Sequence, residues 1–202
     1  RLSNRFVLNL AIAFVPAAAI GLLLNDFIEK MLFNPVSVAA ALVVGGFLIL
    51  WIEKRQSRVP PKVRSVDDMR PRDALAVGLF QILALIPGTS RSGSTIMGGM
   101  VWGLDRKTAT EFSFFLAVPT MFGATLLKGY KLYKELGMQV FQENWQTLLI
   151  GNVVAFLVAL LAIKFFIDFV TRYGFRAFGY YRILLSVGVA IALLLGANIS
   201  LS

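Results

Sequence analysis

Residues 74–104 read ALAVGLFQILALIPGTSRSGSTIMGGMVWGL. Two apolar segments, 74–86 and 95–104, flank a polar loop that carries an arginine and a cluster of hydroxyls. Neither segment is long enough to cross a bilayer, which takes about 20 apolar residues in a helix. A charged loop between two half-length apolar segments gives a helix–loop–helix inside the membrane. Non-helical backbone is tolerated at that depth only where protein buries it or it lines a wet cavity.

The rest of the chain has the composition of membrane scaffold. Its 202 residues are 57% hydrophobic and 15% charged, and mean hydropathy is +0.74. Soluble domains average roughly 25% charged residues. Aromatic residues make up 12% of the chain and are scattered, with no alternating pattern of the kind a barrel strand needs. The fold class is therefore all-α and polytopic. The net charge of +9 sits in segments between the apolar runs, so it reads as membrane topology rather than as a nucleic-acid surface. Cys and His are both absent, which excludes thiol chemistry, a phosphohistidine, a Ser–His pair and a histidine metal site. The chain opens on Arg1 with no cleavable signal pattern after it, and it is expected to begin partway through a longer protein.

Around the hairpin, residues 1–52 are read as two spans, 6–24 and 36–52. Pro16 is a predicted kink, Asp26, Glu29 and Lys30 mark a loop, and Asn34-Pro35 starts the second helix. Gly45-Gly46 allows close helix packing. Residues 53–73 are a basic linker placed on the cytoplasmic side, holding Lys54, Arg55, Arg58, Lys62, Arg64, Arg70 and Arg72. Residues 110–202 supply three more spans: 110–127 with Pro119, 145–169, and 182–197. Two readings of 74–104 compete, a single span broken at its middle and a re-entrant hairpin. The re-entrant form keeps Arg106, Lys107, Arg172, Arg176 and Arg182 cytoplasmic and leaves Lys128, Lys131 and Lys134 outside, so it is preferred. The prediction is five transmembrane helices plus one re-entrant helix–loop–helix, with the start of the chain cytoplasmic.

Within the loop, Gly88 and Gly93 allow tight turning and close approach to a ligand. Ser94 or Thr95 is placed to cap the second half-helix. Its unpaired N–H groups and positive dipole end favour an anion, and Arg91 adds a planar, permanently charged fork. Thr89, Ser90, Ser92, Ser94 and Thr95 add hydroxyls. This set suits a phosphate or diphosphate, and an intramembrane arginine is functional by default. The GxxxxGK[ST] spacing of a Walker loop is absent. Ser90 and Ser92 are candidate nucleophiles, but no base is visible near either, so binding is the role assigned to them. Gly99 and Gly103 are read as packing positions. Glu111 pairs with Lys107 or Arg106, or else faces the Arg91 cavity; the first is preferred. Lys164 and Asp168 read as a snorkelling pair. Gln81 either faces the cavity or bonds a neighbouring helix. Trp145, Tyr180 and Tyr181 read as interface anchors.

The stretch Pro87-Gly88-Thr89-Ser90-Arg91-Ser92-Gly93-Ser94-Thr95 matches PGxSRSxxT at every fixed position. With Glu111-Phe112-Ser113-Phe114 to Val118-Pro119, Phe33-Asn34-Pro35 and residues 41–46, the chain resembles the bacterial undecaprenyl-diphosphate phosphatase, or bacitracin-resistance, family along essentially its whole length. The resemblance implies an enzyme of the bacterial cytoplasmic (inner) membrane. Such an enzyme converts undecaprenyl diphosphate to the monophosphate, recycling the carrier lipid for peptidoglycan synthesis. It also implies an inverted-repeat fold with two re-entrant hairpins, Arg91 stabilising charge on the transferred phosphoryl group, and Gly88, Thr89, Gly93, Ser94 and Thr95 lining the pocket. A divalent cation, Mg²⁺ or Ca²⁺, is the implied cofactor, and a homodimer is compatible with the glycine-rich faces.

The family's ExxxE motif, nucleophilic serine and nearby histidine are not in this sequence. By the same resemblance they belong to an N-terminal hairpin, a partner segment without which the chain is expected to be inactive. The nucleophile and metal ligands are thus not assigned to residues here. The family acts mainly on lipid at the outer face, which agrees with a hairpin entering from the cytoplasm only if the loop passes mid-membrane. The alternative function is a lipid or anion transporter holding phosphate at a broken helix.

Overall fold

The computed structural model describes residues 4–32, 34–56 and 59–195. Phe33, Arg58 and the end of the last predicted span lie outside the described residues, as do the side chains of Asp26, Glu29 and Lys30. Eight helices follow in order: α1 (Asn4–Leu32), α2 (Pro35–Gln56), α3 (Pro71–Ile82), α4 (Arg91–Trp102), α5 (Arg106–Leu136), α6 (Gln139–Glu143), α7 (Trp145–Tyr173) and α8 (Arg176–Leu194). Helices α1, α2, α5, α7 and α8 are long and apolar enough to span a membrane. This is an all-α polytopic membrane protein.

Boundaries follow local chemistry. α1 runs through the predicted loop at 26–30, because nothing breaks a helix between Gly21 and Asn34. α2 starts where predicted, with Pro35 in its first turn and Asn34 Oδ1 accepting from Ser37 N at 2.8 Å. α5 starts at Arg106, one turn ahead of the predicted 110, because Asp105 caps it through Thr108 N at 2.7 Å. α5 is 31 residues long, about 46 Å of rise, so Lys128, Lys131 and Lys134 extend beyond a hydrocarbon core of about 30 Å. α8 begins at Arg176, six residues ahead of the predicted start at Arg182.

α3 and α4 form an antiparallel hairpin whose two ends meet. Asp73, in the first turn of α3, accepts from Arg70 N at 2.8 Å and from Trp102 Nε1 at 2.9 Å. One buried carboxylate thereby caps the first helix and bolts on the end of the second. Lys62 N and Val63 N both donate to Gly103 O, at 2.7 and 3.2 Å. Gly103 ends α4 at φ +123, so it is a terminator rather than the packing position expected. Gly99 does pack, against Ala109, Leu104 and Val77.

α1 runs parallel to α3. Asn9 Nδ2 bonds Met69 O at 3.0 Å near the base, and Gly21 lies against Leu85 near the tip. α2 packs antiparallel on α8, where a Cβ at Gly46 would stand 3.0 Å from Gly179 O. From Gln56, whose Nε2 bonds Leu104 O at 3.2 Å at the base, to Ala41 beside the tip is about 22 Å of helix rise. The hairpin therefore reaches well beyond half of a core of about 30 Å.

A buried junction sets the base. Glu53 is 3% exposed. It receives Arg106 Nε at 3.1 Å, Arg106 Nη2 at 2.7 Å and Phe175 N at 3.0 Å. It thus ties the end of α2 to the start of α5 and to the α7–α8 turn. A side chain at Gly174 would put Cβ 2.9 Å from Glu53 Oε2. The apolar core lies under the hairpin, with Phe112 and Leu116 fully buried and Phe6 edge-on to Phe112 and Phe115. α7 leaves most of its apolar surface exposed, as a lipid-facing helix does. Lys107 Nζ lies 3.8 Å from Glu111 Oε1, the interfacial pair preferred from the sequence. Among the described ion pairs none joins Lys164 to Asp168.

Truncating Glu53 to alanine strands a partly buried guanidinium and the Phe175 N–H, and should cost about 3 kcal/mol. A lowered unfolding midpoint in detergent checks this. Gln81 is 2% exposed with neither amide atom bonded, so it bonds no neighbouring helix. An orphaned buried amide costs about 1–3 kcal/mol. Gln81→Met should therefore raise the same midpoint, and a drop would show that the amide has an unseen partner.

Candidate anion site at the hairpin tip

The hairpin turns over residues 86–90. α3 tightens into a final 3-10 turn, Leu83–Leu85, and Thr89 N bonds back to Ile86 O at 3.1 Å. Gly88 has φ +88, and a Cβ there would lie 2.7 Å from Val38 O. Both the left-handed backbone and the approach to α2 require glycine. Ser90 is the non-glycine residue with positive φ, +71, among the described residues, a conformation costing about 1–3 kcal/mol.

Ser90 is where the second helix starts. Its Oγ accepts from Gly93 N at 3.2 Å and its carbonyl accepts from Ser94 N at 3.0 Å. The cap is thus Ser90, not Ser94 or Thr95 as expected, because Arg91, Ser92 and Gly93 are already helical. Ser94 Oγ donates to Ser90 O at 3.0 Å. Thr95 is fully buried, with Oγ1 3.0 Å from Arg91 O and 2.6 Å from Ser113 Oγ. It locks α4 to α5. The hydroxyls left at the open surface of the tip are those of Thr89, Ser90 and Ser92, the last two 3.4 Å apart.

Arg91 occupies the first position of α4. Its Nη1 donates to Ser113 O at 3.3 Å, so one bond to α5 aims the guanidinium and leaves further N–H groups for a ligand. No carboxylate pairs with it among the described residues, so Glu111 does not fill the partner role considered for it.

The tip holds a second arginine. Arg182 lies inside α8, and its Nη2 donates to Gly88 O at 2.7 Å and to Ala41 O at 3.3 Å. Its Nη1 stands 4.0 Å from the Cβ position of Gly93. Gly45 makes the room: a Cβ there would sit 2.5 Å from Arg182 Nη2. The sequence reading placed Arg182 at a cytoplasmic helix end. The structure corrects that, because α8 starts at Arg176 and its antiparallel packing on α2 carries Arg182 to tip level. A cue was present: an arginine embedded in an apolar segment is expensive there and points to a function.

These groups bring permanent positive charge and helix N–H donors to one polar turn. Such an array binds phosphate oxygens and stabilises charge that builds on them. Among the described residues this array offers no carboxylate set for a cation. The tip carries hydroxyls, carbonyls and two guanidiniums, whereas Mg²⁺ and Ca²⁺ are held chiefly by carboxylates. Among the described residues no three acidic side chains gather to hold a metal.

Comparison with known proteins identifies the family. The family model described as bacitracin resistance protein BacA matches residues 1–188. A relative from Neisseria meningitidis, named undecaprenyl-diphosphatase, is 54% identical over 201 residues, covering 97% of this chain and 70% of the relative. Proteins of the same name from Pseudomonas fluorescens and Porphyromonas gingivalis are 52% and 51% identical, over 90% and 96% of this chain and 63% and 67% of theirs. By the extent of the family match and this identity to curated relatives, the chain belongs to the bacitracin resistance protein BacA family.

Proposed function

We propose that the chain serves the dephosphorylation of undecaprenyl diphosphate to undecaprenyl phosphate. In a bacterium this would recycle carrier lipid at the inner membrane and support cell-wall synthesis and bacitracin resistance. The observation that carries the reading is that Arg91 and Arg182 both reach the turn at the N-terminus of α4, and that among the described residues no ion pair neutralises either. A diphosphate brings the missing negative charge.

In the net reaction the oxygen of a water molecule becomes bonded to the terminal phosphorus, the bond from that phosphorus to the bridging oxygen breaks, and the water's protons pass to the two phosphate products. The terminal phosphate is released after hydrolysis, and the lipid keeps one phosphate. Charge builds on the terminal phosphoryl oxygens and on the bridging oxygen as it leaves. Arg91 and the first N–H groups of α4 act on the former. Arg182 is placed to act on the latter, and it also holds the tip closed through Gly88 O. Ser90 and Ser92 bind rather than attack, since no base stands beside either among the described residues. Among the described residues the implied divalent cation finds no carboxylate set on this tip, and no step is assigned to it.

The basic base of the hairpin, with Arg55, Arg70, Arg72, Arg106 and Lys107, is assigned to the cytoplasm by the distribution of positive charge. The tip then serves lipid of the opposite leaflet. No observation favours the transporter reading.

Phosphate release from undecaprenyl diphosphate by the purified full-length protein, with its N-terminal segment, tests the assignment. Arg91→Ala should lower kcat/KM by roughly 100- to 1,000-fold, the loss usual for one preorganised donor. Arg91→Lys should recover only part, because a point charge lacks the fork. Undiminished release by a folded Arg91→Ala protein overturns the role of Arg91. Arg182→Met should lower both activity and unfolding midpoint, since it removes a charge and leaves Gly88 O unbonded.

A further inference from the structure

A cavity of about 240 Å³ lies between α2, α4 and α8, bounded on one side by Phe80 of α3 and Leu83 of the 3-10 turn that follows it. One end is formed by Thr89 and Arg182 of the anion site, with Gly93 and Ser94 from the first turn of α4. From there it follows α2 past Leu48 and Ile49 to Trp51 and Ile52, and its wall on α4 is Met97, Gly98 and Val101. Apart from the groups at the tip end, every lining residue is apolar or glycine. Gly98 is required: a side chain there would run into the Phe80 ring that forms the wall.

We propose that this cavity binds the start of the substrate's isoprenoid chain, the roughly one or two five-carbon units next to the diphosphate. The inference rests on the phosphatase reading and adds a tail subsite to it. Three observations carry it. The cavity is continuous with the anion site, because Thr89 and Arg182 line both. Its chemistry changes from cationic and polar to apolar in the order in which a prenyl diphosphate changes. Its size suits a short stretch of hydrocarbon, since an apolar cavity of about 150 Å³ takes up benzene.

The cavity also sets an orientation. It runs from the tip back toward the base, about 10 Å along α2. A lipid held this way has its headgroup near the tip-side surface and its chain pointing into the bilayer, so it enters as a member of that leaflet. Units farther along the chain leave the cavity and lie in lipid. Recognition therefore falls on the first units and is indifferent to total chain length.

Two experiments on the purified full-length protein, with its N-terminal segment, test this. The first compares phosphate release from geranyl diphosphate, which has two isoprene units, with release from methyl diphosphate, which has none. Leu48→Trp fills the cavity from α2 without touching the anion site. It should raise KM for geranyl diphosphate by roughly tenfold while leaving methyl diphosphate turnover unchanged. An equal loss on both substrates, or none on either, overturns the proposal. The second uses geranyl diphosphate carrying a photoreactive diazirine on its first isoprene unit. Adducts on the peptides bearing Leu48–Ile52 or Met97–Val101 are expected, and adducts confined to α1, α5 or α7 overturn it. Failure of the unaltered protein to release phosphate from either substrate would instead count against the phosphatase reading, and the diazirine adducts would still decide where the prenyl chain sits.

Discussion

The structure depends on satisfying broken backbone where water is scarce. Residues 86–90 interrupt a helix at the depth where unpaired peptide groups are most costly. Their carbonyls and amides are taken up locally. Arg182 donates to the Gly88 carbonyl, Ile86 O accepts from Thr89 N, and the Ser90 side chain and carbonyl start α4. Arg182 is both a structural donor and a charge of the anion site. The turn is held by a hydrogen bond from a cationic side chain, whose charge favours an anionic ligand.

The position of Arg182 is decided far from the tip. Glu53 binds Arg106 and the Phe175 amide, which sets where α8 begins relative to α2. Two pairs of contacts then fix the register along the helices. Gly46 meets Gly179, and Gly45 leaves space for the Arg182 guanidinium. At the other side of the hairpin, Thr95 and Ser113 bind α4 to α5, and Ser113 O aims Arg91. Asp73 closes the base. The two arginines are held from opposite sides, Arg182 through α2 and α8 and Arg91 through α5, so the gap between them is set by packing rather than by the flexibility of either side chain.

Much of this was legible in the residues. The half-length apolar segments around a polar turn, the five long apolar runs and the Arg91 anion loop all follow from hydropathy and residue chemistry. Errors arose where a polar residue was read as marking a boundary. Asp26, Glu29 and Lys30 were read as a loop, yet α1 continues through them, because a helix is ended by lost hydrogen bonds and not by polarity alone. Arg182 was read as a helix start, and Glu53 as part of an exposed linker. Both are embedded polar groups whose partners come from residues distant in sequence. Thr95 was read as a ligand for substrate, while its hydroxyl is engaged by Ser113.

By itself the sequence determined the membrane-helical class, the hairpin with its PGTSRSGST turn and the family, because these are written in composition and in local, contiguous patterns. Tertiary structure alone decided that a second arginine joins the first, that Ser94 and Thr95 hydroxyls turn inward, and that an apolar cavity leads away from the anion site. These depend on which faces of α2, α4 and α8 meet. That register is set by a buried carboxylate and by glycine contacts between helices far apart in the chain, which no local pattern records.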